Sequence, residues 1–257
     1  MDLEHKRRAV IFGPMGPGLL RRPDTQVIER PGWYQLVTPS APGGVLNEIA
    51  YSQVDDGERC IDEALATYGA HGLTFKWRVG PWTRPTDLSA RLKRRGFDAF
   101  EMRGMVTSTS HRIEVPGGVE IVTVDRDCLD EYVRVFAAGW GLPRDQEAPL
   151  VADHVAAMNV EDRVGHFFAA RIDGAIVATT ALVLRDGYGF LMGAQVLEAF
   201  RGRGVYRALI ASRLRFLAEQ GLTLAATQAR EATSAPMLEH LGFETVLESQ
   251  VFQIAAT

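Results

Sequence analysis

Arg201-Gly202-Arg203-Gly204-Val205-Tyr206 stands between a strand-like run, residues 188–197, and a long amphipathic helix, residues 203–220. Val205, Leu209 and Phe216 form one apolar stripe of that helix, with Ile210, Leu214 and Leu217 beside it, and Gly221 stops it. Two glycines at a strand-to-helix turn let backbone N–H groups approach a ligand with no Cβ in the way. The N–H groups of a helix's first turn, together with its dipole, favour a phosphate there. Arg201, Arg203 and Arg207 add positive charge suited to a polyanionic group such as a pyrophosphate. A dinucleotide fingerprint would need a third glycine where Arg207 stands, and a P-loop would need a Gly-Lys-Ser/Thr ending. Neither is present here, nor does the glycine-rich 13–18 stretch supply a P-loop.

Outward from this turn, alternation and helical spacing predict a regular succession of elements. Downstream come a strand over 222–227, a helix over 234–241, and a last strand opened by Gly242-Phe243. Upstream, strands over 167–171 and 176–184 flank a hairpin turn at Asp173-Gly174. Helices over 129–138 and 148–158 are joined by the loop 140–146, after a strand over 119–124. The first half reads as strands over 33–37 and 45–54, a helix over 60–68, a strand over 73–79, a basic helix over 87–95 and a strand over 97–106.

The halves rhyme. Gly72-Leu73-Thr74 recurs as Gly221-Leu222-Thr223, and each follows a helix and opens a strand. Each is followed by a helix, a Gly-Phe pair (Gly96-Phe97, Gly242-Phe243) and a last strand. The expected class is therefore α/β, with a mixed sheet, in two related units in tandem. Each unit should be a central, mostly antiparallel sheet flanked by helices. The expected divisions are a flexible leader over 1–24, a first unit over 25–112 and a second over 116–257, with Pro116-Gly117-Gly118 at the boundary.

A chain of 257 residues suits about two domains at roughly 150 residues each. Lys+Arg 28 against Asp+Glu 32 leaves a net charge of -4, which argues against nucleic acid as a partner. Cys60 and Cys128 are far apart, which fits a reducing, cytoplasmic setting, and no His or Cys stands at metal spacing. No run of about 18 apolar residues predicts a membrane span. Gly13, Pro14, Gly16, Pro17 and Gly18 break the apolar run that a signal peptide would need.

An Arg-x-x-Gly-x-Gly/Ala turn after a strand resembles the acetyl-CoA cradle of the GNAT superfamily of N-acetyltransferases. Arg201 to Val205 fit it, and Tyr206 departs from the last small residue. The stretch 233–238 running into Leu241-Gly242-Phe243 is similar to the family's closing helix and strand. Trp77-Arg78-Val79-Gly80-Pro81, Asp87-Leu88 and 92–97 look like the degenerate first half of tandem GNAT proteins. Asp55-Asp56-Gly57-Glu58 stands where the first half would carry its cradle, and its carboxylates would repel a pyrophosphate. One acetyl-CoA per chain, in the C-terminal half, is the expectation.

The resemblance implies direct acetyl transfer to a primary amine in a ternary complex, from acetyl-CoA as co-substrate and without a metal. It places Arg201, Gly202, Arg203, Gly204, Val205, Tyr206 and Arg207 around the pyrophosphate. It places a backbone N–H of Ala194, Gln195 or Val196 on the thioester oxygen, in a strand that splays from 222–227. Many members carry a tyrosine acid four residues before the closing Gly-Phe, where this chain has Leu238. Ser234, Glu231 and Glu198 are the substitutes, although Ser234 and Glu231 also suit a helix cap. Asp145, Glu147 and Asp153 near the 140–146 loop are candidates to receive a cationic amine, from a small molecule or a peptide. Leu238 and Tyr206 keep open a second reading, a non-catalytic acyl-CoA sensor. Neither the acceptor nor the oligomeric state is readable.

Overall fold

A computed structural model describes residues 2–18, 20–115 and 117–255; Pro116, in the expected boundary, lies outside the described residues. The chain forms two compact units. Each is interleaved rather than a continuous half.

The unit built mainly from the N-terminal half comprises residues 21–105, 229–238 and the described part of 245–257. β1 (Gln26–Arg30), β2 (Trp33–Val37) and β3 (Glu48–Ser52) form an antiparallel meander. β3 then runs through helix α2 (Gly57–Gly69) into a parallel β4 (Thr74–Val79), a crossover that parallel strands require. β4 alternates half-buried and buried residues, so Phe75, Trp77 and Val79 enter the core. There Trp77 meets Trp33 edge-on at 5.5 Å, and Tyr68 of α2 stacks on Phe75 at 4.0 Å while its hydroxyl donates to Leu36 O. Helix α3 (Leu88–Arg94) buries Leu88 and Leu92, and β5 (Asp98–Ser108) follows. The carboxylate of Asp56 caps α2 by accepting from Arg59 N, and Glu58 pairs with Arg91, Arg94 and Arg95. Carboxylates and their ion pairs thus fill the place where a phosphate turn would be.

The other unit comprises the described residues of 1–20 together with 106–228 and 239–244. β6 (Glu120–Thr123), β7 (Gly165–Ile172), β8 (Ala175–Arg185) and β9 (Tyr188–Val196) pair antiparallel in that order. Helix α6 (Val205–Glu219) crosses from β9 to a parallel β10 (Leu224–Arg230), whose first residues lie in this unit. The expected rhyme is therefore visible in each unit separately, as β3-α2-β4 and as β9-α6-β10. Helices α4 (Leu129–Trp140) and α5 (Glu147–Met158) pack Tyr132, Val133, Leu150 and Phe167 into a separate core.

Three expectations need correction. The leader is not flexible throughout: α1 (Leu3–Phe12) is capped by Asp2, buries Ala9 and Val10, and has its C-terminal carbonyls held by the guanidinium of Arg185, which donates to Gly13 O and Met15 O. The last strand, β11 (Glu244–Ala255), does not complete a 116–257 domain. It pairs antiparallel with β4, from Gln250↔Val79 to Ala255↔Thr74, and the helix before it, α7 (Ser234–His240), belongs mostly to the same unit as β4. The division near residue 105 falls inside β5, upstream of the glycine pair that suggested a linker. Cys60 and Cys128 are both buried as free thiols.

Candidate functional site

The glycine turn has the backbone its sequence demands. Gly202 and Gly204 take φ 75° and 77°, a left-handed conformation that costs an L side chain about 1–2 kcal/mol. A Cβ on Gly202 would meet nothing within 4 Å, so the turn faces open space. Gly204 is the N-cap of α6 and offers no side-chain hydrogen bond; its carbonyl accepts from Ala208 N at 3.0 Å. The amides of Val205, Tyr206 and Arg207 therefore have no protein acceptor among the described residues. Arg201, Arg203 and Arg207 are exposed around them. Arg201 Nε donates to Val196 O at 3.3 Å, and the Arg203 guanidinium lies 5.4 Å above the Phe200 ring. None of the three has a carboxylate partner among the described residues. Donors and uncompensated positive charge converge at one helix start, the chemistry of a pyrophosphate cradle. Tyr206 is half-buried; burial pushes its phenol pKa up and the Arg213 charge opposes that.

Strand pairing stops short of this turn. β9 and β10 pair only from Tyr188↔Leu224 to Leu191↔Thr227, and Thr227 Oγ1 closes the paired part by donating to Leu191 O at 2.9 Å. Beyond that point, residues 192–196 of β9 run without a β10 partner. Ala194, Gln195 and Val196 are half-buried there. On the other edge of β9 the register to β8 shifts between Thr179↔Gln195 and Ala181↔Met192, so Gly193 and Ala194 together face Thr180. This is a β-bulge, and Gly193 takes φ 35° in it.

Helix α4 covers the bulge. A Cβ on Gly139 would come within 2.9 Å of Gln195 Cβ, so only glycine lets the helix approach this closely. The Trp140 ring stands 3.3 Å from where a Gly193 Cβ would be, and is 38% exposed. Gly141, in the left-handed conformation, ends α4 and turns the chain into the expected acceptor loop. Asp145 is exposed and Glu147 half-buried, but Asp153 is only 5% exposed and does not present its carboxylate to solvent.

Two of the three candidate acids and bases are already engaged. Ser234 Oγ accepts from Arg230 N at 2.9 Å, a local turn bond. Glu231 is bound through both carboxylate oxygens by Arg103, and that hydrogen-bonded guanidinium holds its carboxyl below the usual range. Both belong to the unit that contains β4, whereas the cradle belongs to the other. Leu238 is buried at 2% exposure. Glu198 opens a single 3-10 turn directly after β9, is exposed, and has no ion pair among the described residues. The residues that sequence reasoning missed are Thr180, Tyr132 and Arg213, which bond the carbonyls around the bulge. One signal was available: Arg213 is a charge four residues beyond Leu209 on the apolar stripe of α6.

Among the described residues no group of three His, Cys, Asp or Glu could hold a metal ion, and no helix is long and apolar enough to cross a membrane.

Residues 127–243 match the model of the acetyltransferase (GNAT) family. No curated protein sequence matches the chain. Among solved structures, a conserved protein of unknown function from Staphylococcus epidermidis ATCC 12228 is similar at TM-score 0.70 and 14% identity, over 90% of this chain and 94% of that one. A GCN5-related N-acetyltransferase from Kribbella flavida is similar at TM-score 0.61 and 16% identity, over 98% and 93% of the two chains. A tandem GNAT protein from the clavulanic acid biosynthesis pathway is similar at TM-score 0.57 and 17% identity, over 99% and 94%. At these identities the likeness is one of fold, and it extends over nearly the whole chain.

Proposed function

We propose, from the match of residues 127–243 to the GNAT acetyltransferase family model, that this acyltransferase moves the acetyl group of acetyl-CoA onto a primary amine by direct attack in a ternary complex. The observation that supports the reading is the end of β9–β10 pairing at Leu191↔Thr227, which leaves residues 192–196 of β9 without a β10 partner on the way to the Gly202–Gly204 turn; we assign the pantetheine arm to that gap. The amides of Val205, Tyr206 and Arg207, with Arg201, Arg203 and Arg207, are assigned to the pyrophosphate. A backbone N–H of Ala194, Gln195 or Val196 is assigned to the thioester oxygen, where charge develops during attack. Aligning the two reactants supplies much of the acceleration. The N-terminal half is assigned as a degenerate relative with no cradle, since Asp56 and Glu58 occupy the start of α2.

No side chain is assigned as an obligatory acid. Leu238 cannot donate a proton, and a thiolate with a conjugate-acid pKa of about 8.5 is a tolerable leaving group. Glu198 remains the candidate base, acting through water on an amine at the mouth of that gap. The transfer rate then rises with pH as the amine loses its proton. The buried Leu238 also favours a second reading, an acyl-CoA-binding regulator that does not transfer.

Calorimetry with CoA, followed by thiol release from acetyl-CoA across a panel of small amines and peptide N-termini, separates the readings. The expected result is one CoA per chain and thiol release with at least one amine. Tight CoA binding with no release would select the regulator, and no CoA binding would remove both.

A further inference from the structure

Arg213 is only 2% exposed, and no carboxylate reaches it among the described residues. Placing such a charge in a core is costly unless polar groups surround it. Here they are backbone carbonyls. Nε donates to Leu209 O at 3.2 Å within α6, and Nη1 donates to Ala181 O at 3.2 Å and Met192 O at 3.3 Å. Ala181 and Met192 are the cross-strand pair at which the β8–β9 register resumes beside the bulge.

Two further side chains converge on the same place. Thr180 Oγ1 donates to Met192 O at 3.0 Å, and Tyr132 OH, reaching from α4, donates to Thr180 O at 3.3 Å. Thr180 and Tyr132 are as buried as Arg213. The Met192 carbonyl thus accepts from two side chains, Thr180 and Arg213, beside the bulge. Its peptide leads directly into Gly193, with φ 35°, and then into residues 194–196. Fixing that carbonyl fixes the plane of the Met192–Gly193 peptide, because a peptide unit is rigid, and so fixes the direction from which the chain enters the bulge. A leucine at 213 would have continued the apolar stripe of α6 at no electrostatic cost; the arginine costs stability and gains control of this bulge.

We infer that Arg213, with Thr180, is a positioning residue for acetyl transfer: it holds the Met192–Gly193 bulge so that the N–H groups of 194–196 face the thioester oxygen. This rests on the acetyl-CoA reading above. The cradle at Gly202–Gly204 is a separate element, so the clamp acts on the acetyl end of the co-substrate and not on its pyrophosphate.

The test needs no acceptor. Infrared spectroscopy of acetyl-CoA labelled with ¹³C at the thioester carbonyl reads the hydrogen bond to that oxygen directly, and calorimetry with CoA reads the cradle. Wild-type protein should shift the bound carbonyl to lower wavenumber than in free acetyl-CoA. Arg213→Met should lose most of that shift while its Kd for CoA stays within about threefold of wild type, under 1 kcal/mol. Arg213→Lys, which keeps the charge and one donor, should recover part of the shift, and Thr180→Val should lose part of it. If Arg213→Met does not fold, Thr180→Val carries the test. A full shift retained in a folded Arg213→Met or in Thr180→Val would overturn the inference. So would no shift in wild-type protein that binds acetyl-CoA, or parallel loss of CoA and acetyl-CoA affinity that Lys does not repair. Absence of CoA binding by wild type would overturn the functional reading itself, and this one with it.

Discussion

Phe252, on the last strand, lies in register opposite Trp77 of β4. Both are fully buried in one core with Trp33, Ile49 and Tyr68. The end of the chain therefore finishes the sheet of its beginning, and a cut between the sequence halves severs a ladder of six residue pairs, Gln250 to Ala255.

Deleting residues 1–114 should consequently not yield a soluble acetyl-CoA-binding domain. It leaves β11 without β4 and also removes α1, whose Ala9 and Val10 are buried. Soluble yield and circular dichroism of the 115–257 fragment check this. A folded, cooperatively melting fragment would show that the interleaving is dispensable.

The cradle assignment makes a sharper demand. Gly204→Glu brings both a negative charge and a side chain at φ 77° to the start of α6. CoA affinity should fall at least tenfold, about 1.4 kcal/mol. Gly204→Asn separates the two effects, because asparagine tolerates the left-handed region, and it should lose less. Equal affinity in wild type and a folded Gly204→Glu would remove the cradle.

Ser234→Ala and Glu231→Gln should each leave turnover within about tenfold of wild type, less than 1.4 kcal/mol of barrier. The Ser234 hydroxyl is engaged by Arg230 N, and the Glu231 carboxylate by Arg103. Glu231→Gln should lower the melting temperature slightly, since a partly exposed ion pair contributes little. A hundredfold loss in Ser234→Ala with CoA affinity intact would make that hydroxyl catalytic.

Most elements were legible because their periodicity is strong. The β9-α6-β10 crossover is marked by the glycine turn on one side and Gly221 on the other, and the Gly72/Gly221 rhyme marked its counterpart β3-α2-β4. Strand membership was not legible. Whether β11 pairs with β4 or stays beside its sequence neighbours depends on long-range packing of Phe252 against Trp77, and nothing in the local pattern distinguishes the two. α1 escaped notice because Lys6, Arg7 and Arg8 mask a short buried face, and because its end is held by Arg185, far away in sequence. At the site, the turn could be read residue by residue, since φ > 0 demands glycine. The bulge could not: Gly193 is one of two glycines in β9, beside Gly189, and Thr180 and Arg213 become meaningful only when β8 and α6 are brought against it.

The last prediction concerns acid stability. Burial pushes the pKa of His154 down to about 4, from an ordinary 6.5, opposed by its hydrogen bond to Leu150 O at 2.7 Å. Its ring sits among Tyr132, Phe136 and Phe167. Burial likewise pushes His166 down to about 4, and the Arg163 charge adds to the shift. Both pKa values are lower folded than unfolded, so the neutral rings stabilise the fold fully above about pH 6.5. That contribution is lost as pH falls toward 4, because the unfolded chain then binds more protons. The carboxylates held low by partners, among them Glu231 and Asp125, start from ordinary values of 4.5 and 3.8 and lose their contribution below these. Between about pH 6.5 and 4.5 the histidines dominate, and the unfolding free energy should fall with a slope approaching two protons. Urea denaturation at pH 7, 6 and 5 measures it. His154→Leu, an apolar replacement in an aromatic pocket, should reduce the slope by about one proton, whatever it does to stability at pH 7. Equal stability of the wild type at pH 7 and pH 5 would mean that both rings reach water in the folded protein.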